Sequence, residues 1–257
     1  MKAPLEALRK PRPGARFHLP QALAIGAELA LPRAAAHHAV RVLRLDVGDL
    51  LTLFDGRGGE YRADIVRINR GEVVVRTTAF DPVERESPVA TCLVQGISSG
   101  DRMDYTVRKA VELGIARIVP VFTERSVVRL SGERADRRRE HWIALAAAAC
   151  EQCGRNRLPE IAPSQSYVAW LAEIDPPADG SARLLLSPLA PARLATLPRP
   201  DGEVMLLAGP EGGLTDAEAG LAAARGFTGV TLGPRILRTE TAAVAALAAI
   251  QTLWGDF

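Results

Sequence analysis

Cysteine is scarce: Cys92, Cys150 and Cys153 are the whole complement of a 257-residue chain. Cys150 and Cys153 have C-x-x-C spacing, but no second such pair and no H-x-x-x-H accompanies them, so a zinc site would lack its other ligands. The pair also ends an alanine-rich stretch, whereas a redox motif normally opens a helix after a strand. No metal is therefore expected. Long apolar runs are missing too. The longest nearly uninterrupted one, 242–250, is far shorter than the roughly 18 residues of a spanning helix. Lys2, Glu6, Arg9 and Lys10 break up any secretory pattern at the start. These absences predict a cytoplasmic protein with no membrane segment. Neither G-x-G-x-x-G nor G-x-x-x-x-G-K-[ST] occurs, which removes the usual support for a dinucleotide or nucleoside triphosphate site.

What is present is an ordinary globular composition, with 47% hydrophobic and 24% charged residues. The net charge is only +2, too small to draw the whole chain onto nucleic acid. Its distribution is uneven: residues 1–85 carry 14 basic and 10 acidic side chains, and residues 176–257 carry 6 and 8. Basic charge thus gathers toward the N-terminal part. A second concentration lies between Arg125 and Arg139, where six arginines face only Glu133 and Asp136. Such a run suits several phosphate contacts, each adding about 0.7 to the salt slope on single-stranded RNA; a solvated helix face is the plainer alternative.

Near the C-terminus two glycine-bearing loops each follow an apolar run. The first is Leu206-Leu207-Ala208-Gly209-Pro210-Glu211-Gly212-Gly213-Leu214, and the second is Leu232-Gly233-Pro234-Arg235-Ile236-Leu237-Arg238-Thr239-Glu240-Thr241-Ala242. Each reads as strand, tight loop and helix, the arrangement by which an α/β protein offers backbone groups to a ligand at a sheet edge. Thr215 and Glu218 stand at capping-box spacing, and Thr239 is expected to cap a helix from about Glu240 to Leu253. Glycine and proline also punctuate simple turns, and that reading stays open for either loop taken alone.

With these residues the chain resembles the SPOUT methyltransferases, specifically the 16S ribosomal RNA uracil-N3 methyltransferases. The resemblance extends to Gly100-Asp101-Arg102-Met103-Asp104, Lys109 to Gly114 and Glu151-Gln152-Cys153-Gly154-Arg155-Asn156. Ser99 is a departure, standing where the family often has lysine. The resemblance implies an α/β fold with a C-terminal trefoil-knotted methyltransferase domain and an N-terminal PUA-like β-barrel, working as a homodimer. It also implies S-adenosylmethionine as cofactor, held by Leu207, Gly209, Pro210, Glu211, Gly212, Gly213, Leu232, Gly233, Ile236, Leu237, Arg238, Thr241 and Ala242. The implied partner is 16S ribosomal RNA in the assembled small subunit.

Along the chain, residues 1–15 read as a flexible extension rich in proline and charge. Short strands at 50–54, 60–68 and 72–78, separated by Gly-rich turns, suggest a barrel over 16–80. Residues 81–88, bracketed by prolines, form the expected linker, and strand–helix–strand alternation from 89 to 257 indicates a parallel sheet. The RNA candidates are Arg16, Arg41 and Arg44 in the first region, then Arg125, Arg129 and Arg137 in the arginine run. Gln152 and Asn156 are candidates to bond a uracil edge, and Arg155 to meet phosphate or a developing anion. Arg238, Glu240 and Arg155 are the catalytic candidates. Arg238 is suited to charge that spreads onto the uracil oxygens; Glu240 either accepts a proton or orients Arg238, and its simplest role is to favour a helix dipole. The alternatives are methylation of another base or a ribose 2′-oxygen, and a non-catalytic RNA-binding assembly module.

Overall fold

The structure is a computed structural model that describes residues 15–127 and 131–257. The chain divides into two compact units. One comprises the residues up to Glu86 together with Cys150–Leu158; the other comprises Ser87–Ala149 and Pro159–Phe257.

The first unit contains β1 (Arg16–His18), β2 (Glu28–Ala30), α1 (Arg33–His37), a π-helical turn (His38–Val42), β3 (Leu50–Phe54), β4 (Glu60–Asn69) and β5 (Glu72–Asp81). Its sheet has the order β1-β3-β4-β5-β2, antiparallel except for the β1–β3 pair. β4 and β5 turn through Arg70 and Gly71, both at positive φ as a two-residue hairpin of this hand requires. Two register shifts in the β4–β5 ladder increase the local twist. Phe17, Leu51, Leu53, Ile65, Val73 and Val75 fill the core against Ala36 and Ala39. Ala15 belongs to this core, only 1% exposed, and its carbonyl accepts from the Thr52 amide. Order therefore begins before the expected boundary at residue 16; residues 1–14 of the expected extension lie outside the described residues.

The sequence places 150–158 in the C-terminal domain, but the structure groups them with the first unit. The reason is a set of polar bonds. Arg16 donates to Glu60, the Arg155 carbonyl and Asn156 Oδ1; Asn156 Nδ2 donates to the Val83 carbonyl at 2.7 Å; Glu151 accepts from the His18 amide.

The second unit contains β6 (Thr91–Gly96), α2 (Gly100–Glu112), β7 (Arg117–Phe122), α3 (Glu133–Cys153, its last turn belonging to the first unit), β8 (Glu160–Ile161), β9 (Gln165–Ser166) and α4 (Tyr167–Glu173). It continues with β10 (Ala182–Leu186), β11 (Ala192–Arg193), β12 (Val204–Ala208), α5 (Asp216–Ala224), β13 (Thr228–Thr231) and α6 (Thr239–Trp254). The sheet is parallel, in the order β11-β13-β10-β12-β6-β7-β8, with β9 also pairing with β7. β6 is buried at every position and β12 at all but one, as parallel strands covered on both faces must be. Met103, Val107, Ala110 and Val111 give α2 one buried stripe, and Gly114 at φ 80° follows its end. Because β13, β10, β12 and β6 are parallel neighbours, the loops that follow them emerge at one edge of the sheet.

Candidate active site at the sheet edge

The first loop leaves β12 at Gly209 and ends in the capping box of α5, where the Thr215 hydroxyl accepts from the Glu218 amide and Glu218 accepts from the Thr215 amide. The second loop leaves β13 and enters α6. Arg238 rather than Thr239 is the N-cap there. Thr239 is instead the first helical residue, because its hydroxyl donates to the Gly209 carbonyl at 2.6 Å and accepts from Gln95 Nε2. Gln95, fully buried at the end of β6, also donates to the Gly209 carbonyl, so one side chain ties both loops to the sheet.

The loops suit a ligand that reads main chain. Gly213 and Gly233 take φ of 69° and 137°, and a Cβ at either would meet no atom within 4 Å. The space beside them is open. The Ile236 and Leu237 amides have no hydrogen-bond partner among the described residues, which leaves donors for a heterocycle or a ribose. Leu207 and Pro210 are buried, Glu211 and Leu232 half-buried, and Gly212, Ile236 and Thr241 exposed, with Ala242 between these limits. This cradle of glycine backbone and loose amides fits a compact nucleoside cofactor.

Glu211 anchors the first loop. Its Oε1 accepts from the Ser99 amide at 2.9 Å, the Ser99 hydroxyl at 2.8 Å and Arg102 Nη1 at 2.9 Å. Ser99 is the N-cap of α2, yet its hydroxyl makes no capping bond because Glu211 engages it. Burial alone would push the Glu211 carboxyl upward; the Ser99 bonds, its own backbone amide and Arg102 outweigh that and bring it from 4.5 down to about 2. The carboxylate thus stabilises the fold fully above the ordinary value, and this contribution is lost as pH falls from about 4.5 toward 2. An NMR titration of Glu211 should accordingly give a midpoint near 2; an unshifted midpoint would mean that the Ser99 and Arg102 bonds do not form in solution.

The catalytic candidates fall into different surroundings. Arg238 is exposed at the mouth of the second loop and forms no ion pair among the described residues. Glu240 faces Arg102, with Oε1 3.8 Å from Nε, so its partner is Arg102 and not Arg238. Arg155 is 4% exposed in the first unit and ion-paired with Glu86 at 2.5 Å. The sequence suggests it for phosphate or a developing anion; here Glu86 engages its guanidinium. Asn156 is fully buried with both ends of its amide engaged, whereas Gln152 is exposed.

Among the RNA candidates, Arg16 is largely buried by its bond to Glu60, and Arg41 and Arg44 are exposed, Arg44 at the unusual φ of 53°. Arg125 donates to the Gly212 and Leu214 carbonyls, which makes it a brace of the first loop. Arg137 is exposed and pairs with Glu133 one turn away. Arg129 lies outside the described residues. Sequence reading assigned no role to Arg102 or Gln95, although Gly100-Asp101-Arg102 was a visible pattern; nothing in one dimension shows that Arg102 faces two carboxylates more than a hundred residues away.

Residues 85–251 match the RNA methyltransferase domain family, and residues 31–78 match the RNA methyltransferase PUA domain family. The ribosomal RNA small subunit methyltransferase E of Buchnera aphidicola (Schizaphis graminum) is 31% identical over 94% of this chain and 97% of its own. The chain belongs to this RNA methyltransferase family. A crystal structure of the Neisseria gonorrhoeae family member bound to S-adenosyl methionine superposes with a TM-score of 0.85 at 40% identity, covering 94% of this chain and 98% of that one. A Legionella pneumophila structure in complex with the same cofactor gives 0.87 at 38% identity, with 95% and 99% covered. As an RNA methyltransferase with a PUA domain, the chain has the α/β fold class expected. Among the described residues no cluster of three metal-ligating side chains occurs, and no helix is long and apolar enough to cross a membrane.

Proposed function

We propose that this chain transfers a methyl group from S-adenosylmethionine to N3 of a uridine in 16S ribosomal RNA, acting on the small ribosomal subunit in the cytoplasm. The observation that carries the reading is the pair of braced glycine loops at one sheet edge, with an exposed arginine at the mouth of the second that forms no ion pair among the described residues. Family membership supports the cofactor and the RNA substrate. Leu207 to Gly213 and Leu232 to Ala242 would hold the cofactor, largely through backbone.

When bound, S-adenosylmethionine supplies an electrophilic methyl group on a sulfonium, so neither a metal nor a covalent nucleophile is called for. The chain's own residues align the acceptor and stabilise its charge. Alignment of two bound reactants is worth about 7 to 11 kcal/mol in favourable cases. Arg238, permanently cationic, stabilises the negative charge that spreads over the uracil oxygens as the N3 proton passes to water. We assign Glu240 to orientation rather than proton transfer, because Oε1 faces Arg102 and Oε2 has almost no accessible surface.

The same reading includes a trefoil knot, a closed barrel in the first unit and a homodimer. Insertion of β12 between β6 and β10 supports the knot. For the dimer, α6 buries Ala243, Ala246, Leu247 and Ile250, while Thr241, Ala242, Ala245, Ala248 and Leu253 stay outside that core. With Ile236, 84% exposed, they form an apolar, small-residue face that allows close helix approach. The double variant Ala245→Glu/Leu253→Glu should run at one chain mass in light scattering while the wild type runs at two. A wild type that stays monomeric at micromolar concentration would refute the dimer.

To test the reaction, the protein is incubated with labelled S-adenosylmethionine and small subunits from a strain lacking the modification. Labelled 3-methyluridine on nucleoside mass spectrometry is the expected result. A different methylated nucleoside would overturn the target.

A further inference from the structure

Arg102, in the first turn of α2, approaches Glu211 of the first cofactor loop and Glu240 in the first turn of α6, where the second loop ends. Its Nη1 lies 2.9 Å from Glu211 Oε1, and its Nε lies 3.8 Å from Glu240 Oε1. The remaining oxygens, Glu211 Oε2 and Glu240 Oε2, are buried without a hydrogen-bond partner among the described residues. Two carboxylates thus share one half-exposed cation. Removing that cation would leave the two carboxylates to repel each other, with the Ser99 bonds still holding Glu211.

We propose that Arg102 is a positioning residue for methyl transfer, fixing the separation of the two cofactor loops by holding Glu211 and Glu240 on one guanidinium. The inference rests on the methyltransferase reading above. Arginine fits the task because its planar fork offers Nη1 and Nε in different directions at once, which an ammonium does not. The fold itself does not depend on it. The Arg102 side chain is 42% exposed, α2 is held by Met103, Val107, Ala110 and Val111, and the Gln95–Thr239–Gly209 bonds join the loops independently.

The test is a double-mutant cycle on Arg102→Met and Glu240→Gln, read as S-adenosylhomocysteine affinity by calorimetry and as single-turnover methylation of small subunits. Arg102→Met should weaken binding by about tenfold with little change in melting temperature, and Arg102→Lys should recover part of the loss. Arg102→Met/Glu240→Gln should bind no worse than Arg102→Met, because the second change removes the charge that the first left uncompensated. Multiplying losses, or a loss of affinity that only tracks a fall in melting temperature, would overturn the proposal. Absence of ligand binding by the wild type would overturn it together with the methyltransferase reading. Binding without methylation of the subunits would refute the proposed substrate alone, and the affinity cycle would still decide the role of Arg102.

Discussion

Replacing Arg238 with alanine is expected to lower the single-turnover methylation rate by roughly 10² to 10³, about 3 to 4 kcal/mol, the loss typical of removing one donor to a developing oxyanion. The side chain caps nothing through its own atoms and pairs with no carboxylate among the described residues. Melting temperature should therefore hardly change. Cofactor affinity should stay within about threefold, since a group that acts mainly in the transition state changes rate more than ground-state binding. Lysine at 238 should restore only part of the rate, because a point charge cannot meet two uracil oxygens as a planar fork does. If affinity and rate fell together, Arg238 would belong to cofactor holding and not to the chemistry.

The second large effect is expected at Gly96. A Cβ there would lie 2.5 Å from Pro210 Cδ and 2.6 Å from the Pro210 nitrogen, and the latter is main chain that cannot swing aside. Gly96→Ala must displace the first loop where it leaves β12. Because a misplacement of about 1 Å can cost roughly a hundredfold, calorimetry should show cofactor affinity reduced by about that factor. Gly220→Ala is the control: it lies within α5, an added Cβ meets nothing within 4 Å, and a gain of about 1 kcal/mol in stability is expected from helix propensity. An unchanged affinity in Gly96→Ala would mean that the loop adapts and that its contact with β6 does not shape the site.

Much of this was legible in the sequence because it is local. The capping box at Thr215 and Glu218, the strand before the first glycine loop and the turn between the strands at 60–68 and 72–78 each depend on neighbours a few residues apart, and the structure contains all three. What was not legible depends on distant partners. Thr239 looks like a helix cap in one dimension, but it is the first helical residue and its hydroxyl goes to the Gly209 carbonyl; Ser99 does cap α2, yet Glu211 takes its hydroxyl. Arg125 looks like a phosphate ligand in an arginine run, yet it binds carbonyls of a loop some ninety residues later. Arg155 stands in a pattern that suggested chemistry; its burial against Glu86 is visible only once the chain has folded back. Polar residues carry no period, so their partners cannot be read from spacing as apolar faces can.

The return of residues 150–158 to the first unit has a consequence for synthesis. Translation delivers the first 86 residues long before the piece that completes them. Until about residue 158 has cleared the ribosome, Arg16 lacks Asn156, Glu86 lacks Arg155, and the Val83 carbonyl lacks its donor. The N-terminal unit is therefore finished late, and a fragment ending in the linker would leave Glu86 and the Val83 carbonyl without these partners and Arg16 with Glu60 alone. Limited proteolysis of arrested nascent chains would register that as protection of the first strands arriving only with the longer chains.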